Sequence, residues 1–273
     1  MKNLLDQVKK TVVFIGRTIL DKDKKPQDIF VATGALVQIE DIFHLITAKH
    51  VVFDRDGQKL KDDNLWIAFN TKNGKIVKRF IKSIKEKLNL KWTFHINEKV
   101  DLAIIPTALD PQNDDVKVIH SSLFLRIEQL YELYDVFFLS FQPGIPTEEV
   151  IKPVIRNGII SRINTDKTFY IDGSAFPGNS GSPVFLKPSP IRFDKSGISL
   201  GGDPLGGKFI GIIGEYLPYK EIAVSVQTGR PRVVFEENTG LSRVWSVEYL
   251  NEIIESDAFK DQIENIKKSL PQK

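Results

Sequence analysis

Phe176-Pro177-Gly178-Asn179-Ser180-Gly181-Ser182-Pro183-Val184-Phe185 sets one serine in a glycine-flanked turn just ahead of an apolar run. The glycines allow a tight turn that aims the backbone N–H groups of Gly178 and Ser180 at one spot, an oxyanion hole. A serine hydroxyl is a poor nucleophile at neutral pH. It needs a base to take its proton, and histidine has a suitable pKa. Leu45-Ile46-Thr47-Ala48-Lys49-His50-Val51-Val52 supplies a histidine in an otherwise apolar context. Val100-Asp101-Leu102-Ala103-Ile104-Ile105 supplies an aspartate at the head of a buried-looking run. Such a carboxylate fixes the histidine tautomer and stabilises the imidazolium. The expected roles are His50 as general base, Asp101 as its orienting carboxylate and Ser180 as nucleophile.

Taken singly, each residue has a blander reading: a core histidine, a capping aspartate, a turn serine. His44, His95 and His120 sit in no comparable setting and read as surface or strand residues. Asp110, Asp114 and Asp115 are nearby carboxylates in a polar, loop-like stretch. Two decoys fail. Gly178–Ser182 is not a G-x-S-x-G elbow, because Ser182 replaces the last glycine. Gly202–Phe209 approaches a phosphate-binding loop, but Phe209 replaces the Ser/Thr and a strand follows.

The chain has 273 residues, with 38 basic and 35 acidic side chains and a net charge of +3. So small an excess argues against a dedicated nucleic-acid binder. Hydrophobic residues make up 41% and charged residues 27%, the balance of a globular protein. Folding at this length buries roughly three quarters of the unfolded surface, enough for one large core or two small ones. There is no cysteine, which removes disulfides, thiolate catalysis and thiolate metal sites. No His/Asp/Glu cluster has metal-ligand spacing, so no metal and no cofactor is expected. Asp6, Gln7, Lys9 and Lys10 interrupt any signal-peptide run, and no stretch approaches the ~18 apolar residues of a membrane span. A cytoplasmic protein without membrane contact is expected, secreted only if a leader is missing from the sequence.

Short runs rich in Val, Ile, Phe and Thr, bounded by Gly, Pro, Asn and Asp, recur along the chain. Candidate strands are Thr11–Gly16, Ile29–Ile39, Phe43–Ile46, Leu65–Phe69, Leu102–Ile105, Val136–Phe141, Val154–Ile163, Phe169–Ile171, Val184–Leu186, Lys208–Ile213 and Arg243–Ser246. A helix is expected over Asn3–Lys10. Helical spacing returns at Val247, Leu250, Ile253 and Ile254 after Ser246, a candidate N-cap, and continues through Phe259, Ile263 and Ile266. Lys187–Gly207 reads as a long surface loop. A division near 120–130 places its linker around Ser121–Gln129, giving units 1–125, 126–246 and a helical tail 247–273.

Thr47–Val52, Val100–Ile105 and Gly178–Phe185, in the order His, Asp, Ser, resemble the three motifs of trypsin-like (chymotrypsin-fold) serine proteases. The likeness is greatest to the cysteine-free bacterial branch of glutamyl endopeptidases and HtrA-type proteases. Tyr134–Gly144, Asn157–Ser161 and Phe209–Ile213 extend it, so that it covers roughly residues 11–255. It implies an all-β fold of two six-stranded antiparallel barrels with a C-terminal helix. The active site would lie between the barrels, with a polypeptide as substrate.

Asn179 stands where zymogen-activated members carry an aspartate that pairs with a new N-terminus. The resemblance therefore implies a loop held by hydrogen bonds or ordered by a partner or substrate. Ser174, six residues before Ser180, falls at the base of the specificity pocket, with Ala175, Gly214 and Gly240 shaping it. Ile213 stands where glutamate-specific relatives have a histidine. Cleavage after neutral residues is the expectation, with Glu215 the position that could admit a basic side chain. The rival is a pseudo-protease that holds a peptide without cutting it. A third reading is a protease of a defence or stress system acting on a regulatory protein partner. The oligomeric state is open.

Overall fold

The computed structural model describes residues 4–53, 59–145, 149–194, 197–201 and 203–269. Helix α1 (Leu4–Lys9) leads into β1 (Val12–Leu20), β2 (Pro26–Ile39) and β3 (Ile42–Thr47). A single turn α2 (Lys49–Val52) follows, then β4 (Leu65–Asn70), β5 (Ile76–Phe80), α3 (Ile81–Leu88), β6 (Thr93–Phe94), β7 (Ala103–Pro106) and β8 (Ile119–His120). These strands form one sheet in the order β5-β4-β1-β2-β3-β7-β6, with β8 added parallel to β2.

The second half contains β9 (Asp135–Ser140), β10 (Val154–Ile163), β11 (Thr168–Asp172), β12 (Pro183–Leu186), β13 (Ile191–Asp194), β14 (Gly197–Leu200), β15 (Phe209–Val224) and β16 (Pro231–Ser246). Six of them close an antiparallel barrel in the order β10-β11-β16-β15-β12-β9. Helices α4 (Val247–Glu255) and α5 (Asp257–Ser269) end the described chain. No helix among the described residues is long and apolar enough to cross a membrane.

The N-terminal half departs from the six-stranded barrel expected. It has eight strands, and no ladder joins its edges β5 and β6 among the described residues. The chain between them turns into α3, a lysine-rich segment whose Ile81 and Ile84 are buried.

The apolar runs of β9 and β12 are buried on both sides, and the side-chain period of two sorts them. Val136, Phe138, Val184 and Leu186 fill the barrel together with Ile160, Phe169 and Ile210. Phe137, Leu139 and Phe185 point out of it and join the N-terminal core with Phe14, Leu36 and Ile105. Each such side chain contributes about 1.5–3 kcal/mol by burial, so the face between the halves is a continuous core.

The C-terminal helical stretch expected is present as two helices. Ser256 divides it: its Oγ donates to the Ile253 carbonyl at 2.6 Å and accepts from the Phe259 N–H at 3.3 Å. Ser246 occupies the N-cap position of α4 without a side-chain bond. Helix α5 covers β3, where Phe259 stacks on the fully buried His44 ring at 5.2 Å.

Lys187–Gly207 is also not a plain loop. It contains the β13–β14 hairpin, held by an Arg192–Asp203 ion pair of 2.7 Å that is nine-tenths buried. Asp203 further accepts from the N–H groups of Ser189, Leu205 and Gly206. Gly202 and residues 195–196 of that stretch, like Asn3 of the expected first helix and 270–273 of the tail, lie outside the described residues. The Ser121–Gln129 stretch forms two short 3-10 turns.

Candidate active site

Strand β3 ends at Thr47, and the next residues turn once into α2, which lifts His50 out of the sheet. Asp101 lies two residues before β7, the neighbour of β3, so the ladder Thr47↔Ala103 brings His50 and Asp101 together. Both carboxylate oxygens of Asp101 hold His50. Oδ1 accepts from the His50 backbone N–H at 2.8 Å and Oδ2 from Nδ1 at 2.7 Å. A carboxylate only accepts, so Nδ1 carries the proton and Nε2 presents its lone pair. Nε2 lies 3.0 Å from Ser180 Oγ and accepts its hydrogen. The sequence placed these three residues 51 and 130 positions apart, and the fold brings them into one hydrogen-bonded chain.

Burial alone would lower the His50 pKa. The hydrogen bond that His50 donates to Asp101, the Asp101 charge and the more distant Glu215 charge outweigh it and hold the pKa above the ordinary histidine value. The alternative carboxylates are engaged elsewhere. Asp114 pairs with Arg79 at 2.7 Å, Asp115 with Lys10 at 2.5 Å, and Asp110 accepts from Asn113 and Gln112. Among the other histidines, His95 bonds Glu252 at 2.6 Å, His120 bonds Ser122 at 2.8 Å, and His44 is core.

The turn bearing Ser180 is fixed by five bonds that cross between the two halves of the chain or lie beneath them. Thr33 of β2 donates its backbone N–H to the Ser180 carbonyl at 3.0 Å. Its hydroxyl donates to the Gly178 carbonyl at 2.8 Å and accepts from the Phe141 N–H at 2.9 Å. Asn179 is fully buried; its Nδ2 donates to the Phe141 carbonyl at 2.6 Å and its Oδ1 accepts from the Phe176 N–H at 2.9 Å. The loop is therefore held by hydrogen bonds, one of the two arrangements the sequence left open. Gly181 has φ of 86°, and a Cβ there would collide with the Thr33 carbonyl and the Thr47 hydroxyl. Only glycine fits. The N–H groups of Gly178 and Ser180 donate to no protein acceptor among the described residues.

The cleft beside Ser180 is lined by His50, Asp101, Ala175, Ile213, Gly214 and Glu215, with Lys99, Phe176, Pro177, Tyr216, Arg243 and Trp245 completing it. Ser174 and Gly240 do not line it. They lie near one another: a Cβ on Gly240 would lie 3.8 Å from Ser174 Oγ. Trp245 crowds Gly214 so closely that a Cβ there would lie 2.5 Å from Nε1. Glu215 faces Arg243 at 3.7 Å, and Arg243 reaches Asp166 at 3.1 Å while its guanidinium lies over the Trp245 ring. Thr33, Tyr216, Arg243 and Trp245 escaped the sequence reading. The only signal for the last two was their place in a strand that neighbours Ile213.

No family model matches the chain. It is similar to a Staphylococcus aureus (strain bovine RF122 / ET3-1) protein named "Serine protease HtrA-like", 27% identical over 195 residues. That alignment covers 67% of this chain and 22% of the relative, so the chain spans under a quarter of that protein's length. The relative and the closed six-stranded barrel both fit a trypsin-like protease fold.

Proposed function

We propose that the chain is a serine endopeptidase, with His50 as general base, Asp101 as its orienting group and Ser180 as nucleophile. The observation that carries this reading is the unbroken chain of hydrogen bonds from Asp101 Oδ2 through the His50 ring to Ser180 Oγ, 2.7 and 3.0 Å long. It ends beside two unengaged N–H groups. As Ser180 Oγ attacks a peptide carbonyl carbon, its proton passes to His50 Nε2. The negative charge that develops on the carbonyl oxygen is received by the Gly178 and Ser180 N–H groups. The imidazolium then protonates the leaving amine, and water, activated by the same base, hydrolyses the acyl-enzyme. Units 1–125 and 126–246 would contribute His50 with Asp101 and Ser180 respectively, with 247–273 as a tail.

The cleft favours a neutral side chain before the scissile bond. Ala175, Ile213 and Gly214 supply uncharged walls, and the charges of Glu215 and Arg243 face one another. A cation buried there would lack a free counter-charge, because Asp101 holds His50 and Glu215 faces Arg243. The test is labelling with a fluorophosphonate probe. Wild-type protein is expected to be modified at Ser180, and Ser180→Ala is expected to lose both labelling and peptide hydrolysis with its fold intact. Hydrolysis by purified Ser180→Ala at the wild-type rate would overturn the assignment.

A further inference from the structure

Beyond the barrel, β15 and β16 run on together as a two-stranded ribbon, paired from Pro218↔Asn238 to Val224↔Pro231. At ~3.3 Å per residue, residues 215–224 reach roughly 30 Å. An isolated two-stranded ribbon is marginal in water, and this one carries exposed apolar residues on both faces. Residues opposite one another share a face. The pairs Tyr219↔Glu237, Glu221↔Phe235 and Ala223↔Val233 therefore put Tyr219, Phe235 and Val233 on one face. Ile222↔Val234 lies on the other, next to the Lys220–Glu236 ion pair of 3.2 Å. Tyr219, Ile222, Val233, Val234 and Phe235 are each at least half exposed.

The ribbon also has an open edge that leads into the cleft. Strand β15 is paired with β12 as far as Ile212, and Ile213 exchanges bonds with Gly181 and Ser182. From Gly214 onward no strand of the described residues pairs with that edge. Ile213, Gly214, Glu215 and Tyr216 of the same strand line the cleft at Ser180.

We propose that the ribbon is a docking strand for the polypeptide substrate, and that it takes an extended apolar stretch many residues long to one side of the scissile bond. The identity of this occupant rests on the peptidase reading. Continuity selects it: a chain paired with β15 beside the cleft meets the open edge of the ribbon without a break. The two apolar faces select strand addition over face stacking. A strand added to an edge turns its side chains alternately to both faces, where both Tyr219 and Ile222 would border them. A body stacked on one face would leave the other bare.

The test is binding of fluorescein-labelled, reduced and carboxymethylated α-lactalbumin, an unfolded polypeptide, to the Ser180→Ala protein. Two further pairs of substitutions, Ile222→Thr with Val234→Thr and Val233→Thr with Phe235→Thr, strip one face each while keeping β-branched residues in the strands. Each pair is expected to weaken binding by about tenfold or more at an unchanged thermal midpoint. Ile96→Thr, at an exposed apolar residue outside the ribbon, is expected to leave binding unchanged. Absent binding, or binding indifferent to both pairs, would overturn the proposal. So would a dimer seen in sedimentation that both pairs dissociate, since the occupant would then be a second copy. Fluorophosphonate labelling of the wild type separates this proposal from the reading beneath it. Ribbon-dependent binding without labelling would keep the docking strand and remove the peptidase. Labelling without ribbon-dependent binding would do the reverse.

Discussion

The hydroxyl of Thr33 and the carbonyl of Gly178 meet at 2.8 Å although 145 positions separate them in the chain. With the Thr33 N–H on Ser180 and the Phe141 N–H on the same hydroxyl, one buried threonine sets the turn that presents the serine. Thr33→Val keeps the shape but leaves the Gly178 carbonyl and the Phe141 N–H without that partner. Each orphaned group costs about 1–3 kcal/mol. Chemical denaturation is expected to show a loss of that order, and fluorophosphonate labelling of Ser180 to slow on the order of tenfold. Thr33→Ser restores both. Unchanged labelling in Thr33→Val would mean the turn is set elsewhere.

Asp101→Asn is expected to slow peptide hydrolysis by roughly 10⁴-fold, because an amide N–H toward the ring favours the wrong histidine tautomer. Asp110→Asn and Asp115→Asn, whose carboxylates bond other partners, are expected to leave turnover near wild type. Steady-state rates on one peptide decide it, and the opposite ranking would move the role away from Asp101.

The acid limb of kcat/KM is expected above the ordinary histidine pKa of about 6.5, since His50 must be neutral to accept the proton. Glu215 favours the imidazolium by its charge, after the larger effect of Asp101. Glu215→Gln lowers the His50 pKa, so the limb shifts to lower pH. The shift shrinks at high salt because Glu215 is exposed. A limb that moves upward in Glu215→Gln would contradict His50 as the base.

His44 carries an acid sensitivity unrelated to the cleft. Burial lowers its pKa to about 4, against smaller opposing effects of the Ile42 carbonyl and Glu40. The folded state keeps it neutral while the unfolded chain is protonated below ~6.5, so stability is lost as pH falls from there toward 4. The loss reaches about 3 kcal/mol. Urea titrations at several pH values should show this slope, and His44→Phe should remove it. An equal slope in His44→Phe would place the acid sensitivity in other groups.

Much of the site was legible because its chemistry is local. Each of the three motifs carries its polar residue in an apolar setting that survives in the fold, as in β3, β7 and β12. Strand existence was legible for the same reason. What escaped depends on partners distant in sequence. Thr33 inside Ala32–Val37 looks like any β-branched strand residue until Gly178 stands opposite. Of β15 and β16 the sequence marks only the short runs Lys208–Ile213 and Arg243–Ser246, because their exposed halves lack the burial period of a core strand. Strand β5 and helix α3 were hidden by their lysines. Whether a sheet closes depends on pairing between its edges, and no periodicity records that.

The position of α5 has a consequence for biosynthesis. Gln262 of this helix binds the backbone of Lys91 at both N–H and carbonyl, across 171 positions, and Phe259 covers His44 on the strand that leads to His50. At about 5–20 residues per second the ribosome needs roughly 10–30 s to supply that cover after Lys91 has been made. Through that interval the nascent N-terminal sheet lacks part of its lid. Helix α5 completes it, so the strand that leads to His50 gains this cover only after the barrel that carries Ser180 has been made.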